Sequence, residues 1–464
     1  MYSAPRQLGV VIVLFAASIA SVVSASPCPF TLANRSGDGR CRCNRILHEI
    51  TCNDVDAVPD FSTPTDDSYW ALYLQRGTIS GLGPSAFAGL PRLAKIVINF
   101  HRLDVNGLDQ AAFQWEEPTS LLRELSIGAS RVRSLPSRLL DGLGRLRRLS
   151  VWGNEVSRLP RGFFNPVADS LIELSLWGNH LERVDDTTFD AGGRHYWPAL
   201  RTLDLDRNVI SLLGRDAFRS MPNMETLRVA GNRVARLSGE ALTGLSRLRS
   251  LQLEHNGLSF IHRAAFTDLE SLLSLSLGDN ALAFLPDGVF ESLDRLVDLR
   301  LQNNRLEYVW WRTFRGLRSL RRVDLSGNRL SNLPDHVFRH STGLAVLSLD
   351  GNHLRTLRRC SLPPVMLGSP SPTDRPPRWR RRRRTLSLLG NVSLRCDCRL
   401  AWLATQVDGG VTSVLGSCVI ALDPSPSLSP TETVLEGRCP IRAVVLRQRF
   451  DVCPAHTYQI NCKK

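Results

Sequence analysis

One phrase written again and again limits what this chain can fold into. The phrase is L-x-x-L-x-L-x-x-N-x-L. It returns every 24 residues without exception from Leu200 onward, after earlier intervals of 24, 29, 24, 25 and 29 residues. A fixed period of this size means that one structural unit is stacked many times, with each copy contacting mainly its neighbours. The twelve copies begin at Tyr69, Leu93, Leu122, Leu146, Leu171, Leu200, Met224, Leu248, Leu272, Leu296, Leu320 and Leu344.

The phrase predicts a short strand followed by a turn. In L-x-L, alternate residues point to opposite sides of a strand, so both Leu side chains face the interior. The Asn amide can bond backbone groups of its own and adjacent copies where the chain leaves the strand. That Asn recurs as Asn154, Asn179, Asn208, Asn232, Asn256, Asn280, Asn304, Asn328 and Asn352. A second column predicts a core spine, formed by Phe87, Phe164, Phe189, Phe218, Phe266, Phe290, Phe314 and Phe338.

These features identify residues 69–360 as an array of twelve leucine-rich repeats. The predicted fold class is an α/β leucine-rich repeat solenoid, shaped as a horseshoe. Its concave face is a parallel β-sheet, and its convex face is mostly irregular or short-helical. The first three copies have Gly77, His101 and Ser130 in the Asn position, so we expect a less regular N-terminal end.

Cysteines lie on both sides of the array. The spacing C-x12-C-x-C-x8-C from Cys28 to Cys52 precedes the first repeat, and CDCRLAWL opens at Cys396 with Cys418 and Cys439 beyond it. This arrangement resembles the cysteine-rich caps of extracellular leucine-rich repeat proteins, a group that includes Slit, chondroadherin, the acid-labile subunit and Toll-type ectodomains. The disulfide-stapled caps that the resemblance implies are residues 26–68 and, with the tail, residues 385–464.

The resemblance also implies how the cap cysteines pair. The implied bridges are Cys28–Cys43, Cys41–Cys52, Cys396–Cys418 and Cys398–Cys439. Cys453 and Cys462 form a local bridge, or Cys462 replaces Cys439 as the partner of Cys398. Because eleven cysteines cannot all pair within one chain, at least one lacks an internal partner, and Cys360 is the candidate.

The N-terminus predicts secretion. The apolar run VVIVLFAASIASVV is followed by Val23-Ser24-Ala25, which has the small-residue pattern of a signal-peptidase site, so residues 1–25 are interpreted as a signal peptide. No later segment has 18 uninterrupted apolar residues, so we expect no transmembrane anchor and a mature chain in the extracellular space or matrix. In that compartment the sequons at Asn34 and Asn391 predict glycosylation.

Residues 361–384 look inserted between the last repeat and the C-terminal cap. They are rich in Pro, Ser and Arg and cannot bury a core, so we expect a disordered loop. Seven arginines supply half of the formal net charge of +14 and predict a site for a heparin-like polyanion. The alternatives are a solvated charge run and intron sequence retained in the gene model. The seven are Arg375, Arg378, Arg380, Arg381, Arg382, Arg383 and Arg384.

No catalytic constellation stands out in the sequence. It lacks the G-x-x-x-x-G-K-S/T, G-x-S-x-G and H-E-x-x-H motifs. The cap cysteines of a secreted chain are expected in disulfides rather than as zinc ligands. We therefore expect neither an enzyme nor a bound cofactor or metal, and we expect the function to lie on a surface.

The outward residues of the strand phrase are free of the core and can carry a binding site. Trp152 and Trp177 occupy the same place in consecutive repeats, where parallel strands lie about 5 Å apart. Aromatic clusters with a polar rim are typical of interaction surfaces. The alternative is that the two rings only cover a flat stretch of sheet. The predicted ligand-binding residues are Trp152, Trp177, Asp204, Asp206, Arg228 and Glu254.

The predicted partner is an extracellular protein that binds the concave face. By resemblance, the most favoured class is a matrix, adhesion or growth-factor carrier protein. A soluble innate-immune receptor for microbial patterns or antigens is the alternative. A third class is a protein that binds sulfated glycan through the arginine run, whereas nucleic acid is not favoured.

Overall fold

The computed structural model describes residues 26–27, 41–59, 61, 69–103, 107–115, 121–189, 196–362, 385–391, 394, 413–420 and 437–440. Within these residues, successive coils of chain stack side by side, and their strands form one 18-stranded sheet in chain order. The predicted leucine-rich repeat solenoid is confirmed. Over the same residues, no helix combines the length and the apolar character needed to cross a membrane.

The main sheet contains one strand from each coil and short antiparallel additions at both ends. Its strands are β1 Ser26–Pro27, β2 Cys41–Asn44, β3 Glu49–Asn53, β4 Ala71–Gln75, β5 Lys95–Asn99, β6 Glu124–Gly128, β7 Arg148–Trp152, β8 Glu173–Ser175, β10 Thr202–Asp204, β12 Thr226–Arg228, β14 Ser250–Gln252, β16 Ser274–Ser276, β17 Asp298–Arg300, β18 Arg322–Asp324, β19 Val346–Ser348, β20 Thr385–Leu388, β21 Ser413–Ile420 and β22 Gly437–Pro440. Pairing is antiparallel between β1, β2 and β3 and between β21 and β22. From β3 to β21 it is parallel.

The rest of each coil is mostly turns, as predicted for the convex side. Two parallel pairs lie outside the main sheet: β9 Arg183–Val184 with β11 Leu212–Leu213, and β13 Arg236–Leu237 with β15 Phe260–Ile261. The described residues contain two short 3-10 helices, at Asn165–Val167 and Arg359–Ser361.

The core is continuous from repeat to repeat. Leu203, Leu227 and Leu251 are direct partners on neighbouring parallel strands, and all three are fully buried. The eight predicted Phe side chains are also buried. Ring stacks link Phe266 to Phe338 through the two Phe residues between them. Each repeat therefore completes the core of the next one.

The N-terminal repeats are more regular in strand pairing than expected. Strands β4 to β7 have five residues each, whereas the main-sheet strands from β8 to β19 have three. Ser130 keeps the turn bonded without an amide, because its hydroxyl donates to the Gly128 carbonyl at 2.8 Å and accepts the His101 N–H at 3.3 Å. The expectation of a less regular N-terminal end is therefore wrong for the sheet.

The column of asparagines, called the asparagine ladder below, joins neighbouring repeats. Asn304 shows the pattern: its Nδ2 donates to the Leu277 carbonyl of the preceding repeat at 2.9 Å and to the Leu301 carbonyl of its own repeat at 3.1 Å. Its Oδ1 accepts the Leu282 N–H at 3.0 Å. A buried backbone group without a partner is costly, so this column holds the turns in one geometry. All nine predicted asparagines are buried.

His101 occupies the Asn position of its repeat but does not make the side-chain hydrogen bonds that Asn makes there. It is 2% exposed, and neither ring nitrogen makes a well-formed hydrogen bond among the described residues. Burial lowers the pKa of His101 below 6.5, and the nearby Leu74 carbonyl only partly offsets this effect. The unfolded chain therefore takes up a proton that the folded chain resists, so stability falls as pH drops below about 6.5.

Replacing His101 with Asn is expected to raise the melting temperature, and to raise it more at pH 5 than at pH 7.5. The new amide can reach the Leu74 carbonyl as the other asparagines reach theirs, a gain of about 1 kcal/mol. Melting curves of wild type and His101→Asn at the two pH values measure the effect. Parallel pH dependence in the two proteins would show that His101 does not titrate on unfolding.

The solenoid continues beyond the last full repeat. Leu386 of β20 pairs with Leu347 of β19 although 39 residues separate them, against the usual 24. Asn391 takes the next place in the asparagine column, is 3% exposed, and donates from Nδ2 to the Leu349 carbonyl at 2.9 Å. Its Oδ1 accepts the Leu354 N–H at 3.3 Å. Because this amide is bonded inside the core, the predicted glycan on Asn391 is incompatible with the fold.

The predicted insertion of residues 361–384 begins too early. Ser361 and Leu362 are buried against the last repeat, and the Ser361 hydroxyl donates to the Leu333 carbonyl at 2.9 Å. The two residues complete the convex turn of that repeat, which the Pro- and Ser-rich composition concealed.

The described cysteines confirm one bridge and correct one prediction. Cys41 and Cys52 form the predicted disulfide between β2 and β3, and Cys43 is also disulfide-bonded. Cys360, predicted to be unpaired, is disulfide-bonded as well. It lies buried at the end of the array, where its carbonyl accepts the His336 N–H. An odd number of cysteines still leaves one without an internal partner, and it is not Cys360.

Several predictions fall outside the described residues. They are the signal peptide 1–25, the glycosylation of Asn34, the cysteines Cys28, Cys396, Cys398, Cys453 and Cys462, and the arginines Arg375, Arg378 and Arg380 to Arg384. Cys418 and Cys439 are described as directly opposed backbone positions in β21 and β22.

Candidate functional site on the concave face

An aromatic row crosses five coils of the concave face and takes side chains from four of them. The ring centroids of Trp152 and Trp177 are 6.1 Å apart. Phe100 meets the other side of Trp152 edge-on, with centroids 5.9 Å apart. At the far end, the Arg207 guanidinium lies 5.4 Å from the centre of the Trp177 ring. Phe100, Trp152, Trp177 and Arg207 are called the aromatic row below.

Gly128 makes the row continuous. Phe100 follows β5 and Trp152 ends β7, so one strand lies between them. That strand ends at Gly128, where a Cβ atom would clash with the indole of Trp152. The missing side chain lets the indole lie across β6 and reach Phe100. The tryptophans are half-buried by this packing, whereas Phe100 is 54% exposed.

A cluster of carboxylates follows the row along the sheet. Trp177 lies beside β10, because the N–H groups of Leu176 and Gly178 donate to the carbonyls of Asp204 and Asp206, both at 2.8 Å. The Asp204 Oδ1 accepts the Asp206 N–H at 3.0 Å. The Asp206 Oδ1 accepts the N–H of Ala230, on the next repeat, at 2.6 Å.

Glu254 and Arg228 complete the cluster. The Glu254 Oε2 is buried and has no hydrogen-bond partner among the described residues. The exposed Arg228 is the cation that acts on both aspartates. We call Asp204, Asp206, Arg228 and Glu254 the acidic cluster. With three carboxylates and one guanidinium, it has an unbalanced negative charge when all groups are ionised.

Burial in this cluster raises the pKa values of both aspartates. Burial raises the pKa of Asp206 to about 7, and the neighbouring charge of Asp204 adds to the effect. Burial also raises the pKa of Asp204, although the Asp206 N–H and Arg228 act in the other direction. A cation brought by a partner would favour the ionised forms and relieve the repulsion between them.

The central and C-terminal concave face is acidic although the whole chain is basic. At the outward positions of the main-sheet strands from β8 to β19 and at the two positions before each Asn of the asparagine column, carboxylates outnumber guanidiniums by eight to four. The carboxylates are Glu173, Asp204, Asp206, Glu254, Asp279, Asp298, Asp324 and Asp350, and the guanidiniums are Arg207, Arg228, Arg300 and Arg322. Such a surface attracts basic groups and repels polyanions. Over the described residues, no three His, Cys, Asp or Glu are arranged to hold a metal ion.

The structure brings all six predicted concave residues onto adjoining strands. Phe100 and Arg207 are not among the six predicted binding residues, although each directly follows an outward strand position. Both have positive φ angles, 62° and 54°. In the two Trp-containing repeats this position is occupied by Gly153 and Gly178. A bulky residue at the same position of another repeat is therefore the sequence feature that could have identified Phe100 and Arg207.

Comparisons with known proteins agree with this architecture. A family model described as leucine rich repeat matches residues 169–234, 198–258, 222–282, 246–306, 270–330 and 318–362. Toll-like receptor 3 of Bos taurus is 34% identical over 79 residues, which are 17% of this chain and 8% of the receptor. The match thus spans a small part of that receptor.

Solved structures show the same fold at low sequence identity. A chain of the octameric complex of Latrophilin 3, Unc5D and FLRT2 is similar with a TM-score of 0.53 and 21% identity, covering 83% of this chain and 93% of that one. A chain of the TLR13–ssRNA13 complex has a TM-score of 0.51 and 20% identity, covering 82% of this chain and 60% of that one.

Proposed function

Because this chain is a leucine-rich repeat protein, we propose that it is an extracellular binding scaffold whose concave face holds a protein partner. The observation that carries the proposal is the aromatic row lying next to the acidic cluster. Large rings give apolar contact area at low cost in conformational entropy, and such residues often dominate binding energy. The acidic cluster adds selectivity for charge.

The proposed partner presents an apolar or aromatic side chain beside a Lys or Arg. The apolar group would pack on Trp152 and Trp177, and the cation would reach Asp206 and Glu254. Glu254 favours this arrangement because its unpartnered Oε2 gains a donor on binding. A sulfated glycan is a poor match for this face, where carboxylates are in excess.

The assignment to the extracellular space rests on the signal-like N-terminus, the oxidised cysteines and the relatives. Cys41 and Cys52 form a disulfide, and disulfides persist mainly in oxidising compartments. FLRT2 occurs in a complex with Unc5D and Latrophilin 3. We place the chain with matrix, adhesion or carrier proteins on this basis.

Replacing Trp152 and Trp177 together with Ala is expected to weaken partner binding at least tenfold, since central aromatics often contribute ~2 kcal/mol or more. The wild-type chain would first capture partners from extracellular fluid. The affinity of each captured protein for wild type and variant would then be measured by surface plasmon resonance. Melting curves of both proteins accompany the measurement, because the variant loses the buried area of two half-buried rings in addition to about 1 kcal/mol of ring–ring contact.

Trp310 and Trp311 provide a matched control. They are also neighbouring and exposed, at 48% and 49%, but they lie after the turn of their repeat and outside the concave sheet. Their double replacement with Ala is expected to leave binding unchanged. If that variant loses affinity while Trp152→Ala/Trp177→Ala keeps it, the binding site is not concave.

A further inference from the structure

A separate cavity lies at the edge of the sheet, where the chain enters strands β4 to β8. It has a volume of about 320 Å³. Its walls come from the residue immediately before each strand and from the first residues of β6 and β7. The lining residues are Trp70, Ala94, Arg123, Glu124, Arg147, Arg148 and Ile172. We call this cavity the Trp70 slot.

Trp70 forms a fixed aromatic wall. Its indole Nε1 donates to the Leu47 carbonyl at 2.9 Å, and its backbone N–H donates to the His48 carbonyl at 3.0 Å. Both acceptors belong to the turn between β2 and β3 of the N-terminal cap. The ring nevertheless remains 42% exposed, so an anchored indole is presented to the cavity.

Ala94 has a small side chain and stands between Trp70 and Arg123, so it leaves a gap between the indole and the guanidinium. Trp70, Ala94 and Arg123 precede β4, β5 and β6, which pair in parallel. Trp70 and Arg123 therefore emerge about 9.5 Å apart, twice the spacing of parallel strands. A planar ring stacked between them needs about 7 Å, two contact distances of ~3.5 Å. The slot over Ala94 has the width for one aromatic ring.

The charge of the slot is positive, in contrast to the acidic face beside it. Arg148 is bonded to Glu124 and Glu173, and Lys95 also bonds Glu124, so these four charges cancel. Arg123 and Arg147 remain, and neither has an ion-pair partner among the described residues.

Two arginines further along the same column behave differently. Arg201 and Arg249 share Glu225, with N···O distances of 3.2 and 3.9 Å. Ile172 stands where the slot would need a carboxylate to balance Arg147. Arg321 of the same column also has no ion pair among the described residues, but Val297 and Ala345 flank it. Two adjacent uncompensated arginines are therefore a local feature of the Trp70 slot.

We propose that the Trp70 slot binds an aryl ester of sulfate or phosphate, as carried by a modified tyrosine side chain on a peptide. The ring stacks over Ala94 between the Trp70 indole and the Arg123 guanidinium. Arg123 and Arg147 bind the ester oxygens, a match that the planar guanidinium fork favours. A volume of about 320 Å³ suits one ring with its ester, at the small end of ligand sites.

The test uses the full chain and a short peptide with one O-sulfotyrosine, measured by calorimetry and by quenching of tryptophan fluorescence. The same peptide with phosphotyrosine and with plain tyrosine, and inorganic sulfate alone, complete the set. We expect the two esters to bind and the plain peptide and sulfate to bind at least tenfold more weakly. The tighter of the two esters identifies the modification that the slot fits. Equal binding of plain tyrosine or of sulfate would overturn the proposal.

Ala94→Leu fills the slot without changing any charge and is expected to weaken ester binding at least tenfold. Ala345 holds the same place in the twelfth repeat, so Ala345→Leu is the matched control with no expected effect. Arg147→Ala tests the charge without adding bulk, and Arg201→Ala is its control. Undiminished binding by folded Ala94→Leu or by Arg147→Ala contradicts the assignment.

The slot and the aromatic row are independent sites. Trp152→Ala/Trp177→Ala is therefore expected to bind the sulfated peptide as wild type does. Loss of partner binding together with retained peptide binding separates the two proposals.

Discussion

Asn304→Ala is expected to lower the free energy of unfolding by about 3–5 kcal/mol. The substitution leaves the buried Leu282 N–H without a partner, which costs about 1–3 kcal/mol, and removes a bond of about 1 kcal/mol to the Leu277 carbonyl, which keeps the Asn280 amide as its other donor. It also removes the bond to the Leu301 carbonyl within the same repeat. Because the lost bonds span the boundary between two repeats, the damage falls on the interface that holds the array together.

Denaturant unfolding of wild type and variant, followed by circular dichroism, measures this loss. Asn332→Ala is the control, because Asn332 is an exposed residue of the following repeat outside the ladder column, and a change within 0.5 kcal/mol is expected there. An Asn304→Ala midpoint equal to that of the control would show that the ladder is dispensable. A broadened transition in Asn304→Ala would indicate that the array separates into two cooperative blocks.

The ladder also explains why so much of the fold could be predicted from the sequence. A 24-residue period, an alternating Leu frame and an amide that bonds across the repeat boundary leave one solution for the chain path. Nine asparagines and eight phenylalanines were therefore placed correctly, along with the parallel sheet. Each of these features depends on contacts between a residue and its equivalent one repeat away.

The features that could not be predicted depend on contacts between residues two repeats apart, or on residues whose role in the fold differs from the role that a local motif suggests. Phe100 joins Trp152 across an intervening strand because Gly128 has no side chain. No single phrase of sequence contains that relation. Asn391 fits a glycosylation sequon, but its place in the ladder buries the amide.

The distribution of charge over the surface could not be predicted from the composition either. A net charge of +14 directs attention to polyanions, whereas the folded chain puts an excess of carboxylates on the central and C-terminal concave face. The uncompensated Arg123 and Arg147 become visible only when their column is compared with Arg201 and Arg249, which share Glu225. Composition gives the total charge, and the period of the repeat decides on which face it lies.

The second large effect is expected from Asp206 and depends on pH. Its pKa is raised from 3.8 to about 7 in the folded chain, so the folded state holds this proton more tightly than the unfolded state. Stability therefore falls as pH rises from about 4 to about 7 and changes no further above that. The full shift corresponds to ~4 kcal/mol, and solvent screening at this half-buried group reduces it to ~2 kcal/mol. Asp206→Asn keeps an oxygen for the Ala230 N–H and removes the titration.

We therefore expect Asp206→Asn to be more stable than wild type at pH 8 by ~2 kcal/mol and nearly equal to it at about pH 4, where the unfolded carboxyl has begun to protonate as well. The difference between the two proteins isolates Asp206, because His101 acts in the opposite direction below pH 6.5 in both. Asp350→Asn is the matched control: Asp350 holds the same strand position and accepts the Leu389 N–H as Asp206 accepts that of Ala230, but it lies outside the acidic cluster. If both variants gain the same stability at pH 8, the gain comes from the turn position that Asp206 and Asp350 share and not from repulsion among the carboxylates of the acidic cluster. If the gain is confined to Asp206→Asn, the concave face stores repulsion that a basic partner can relieve, and binding of that partner should strengthen as pH rises through 7.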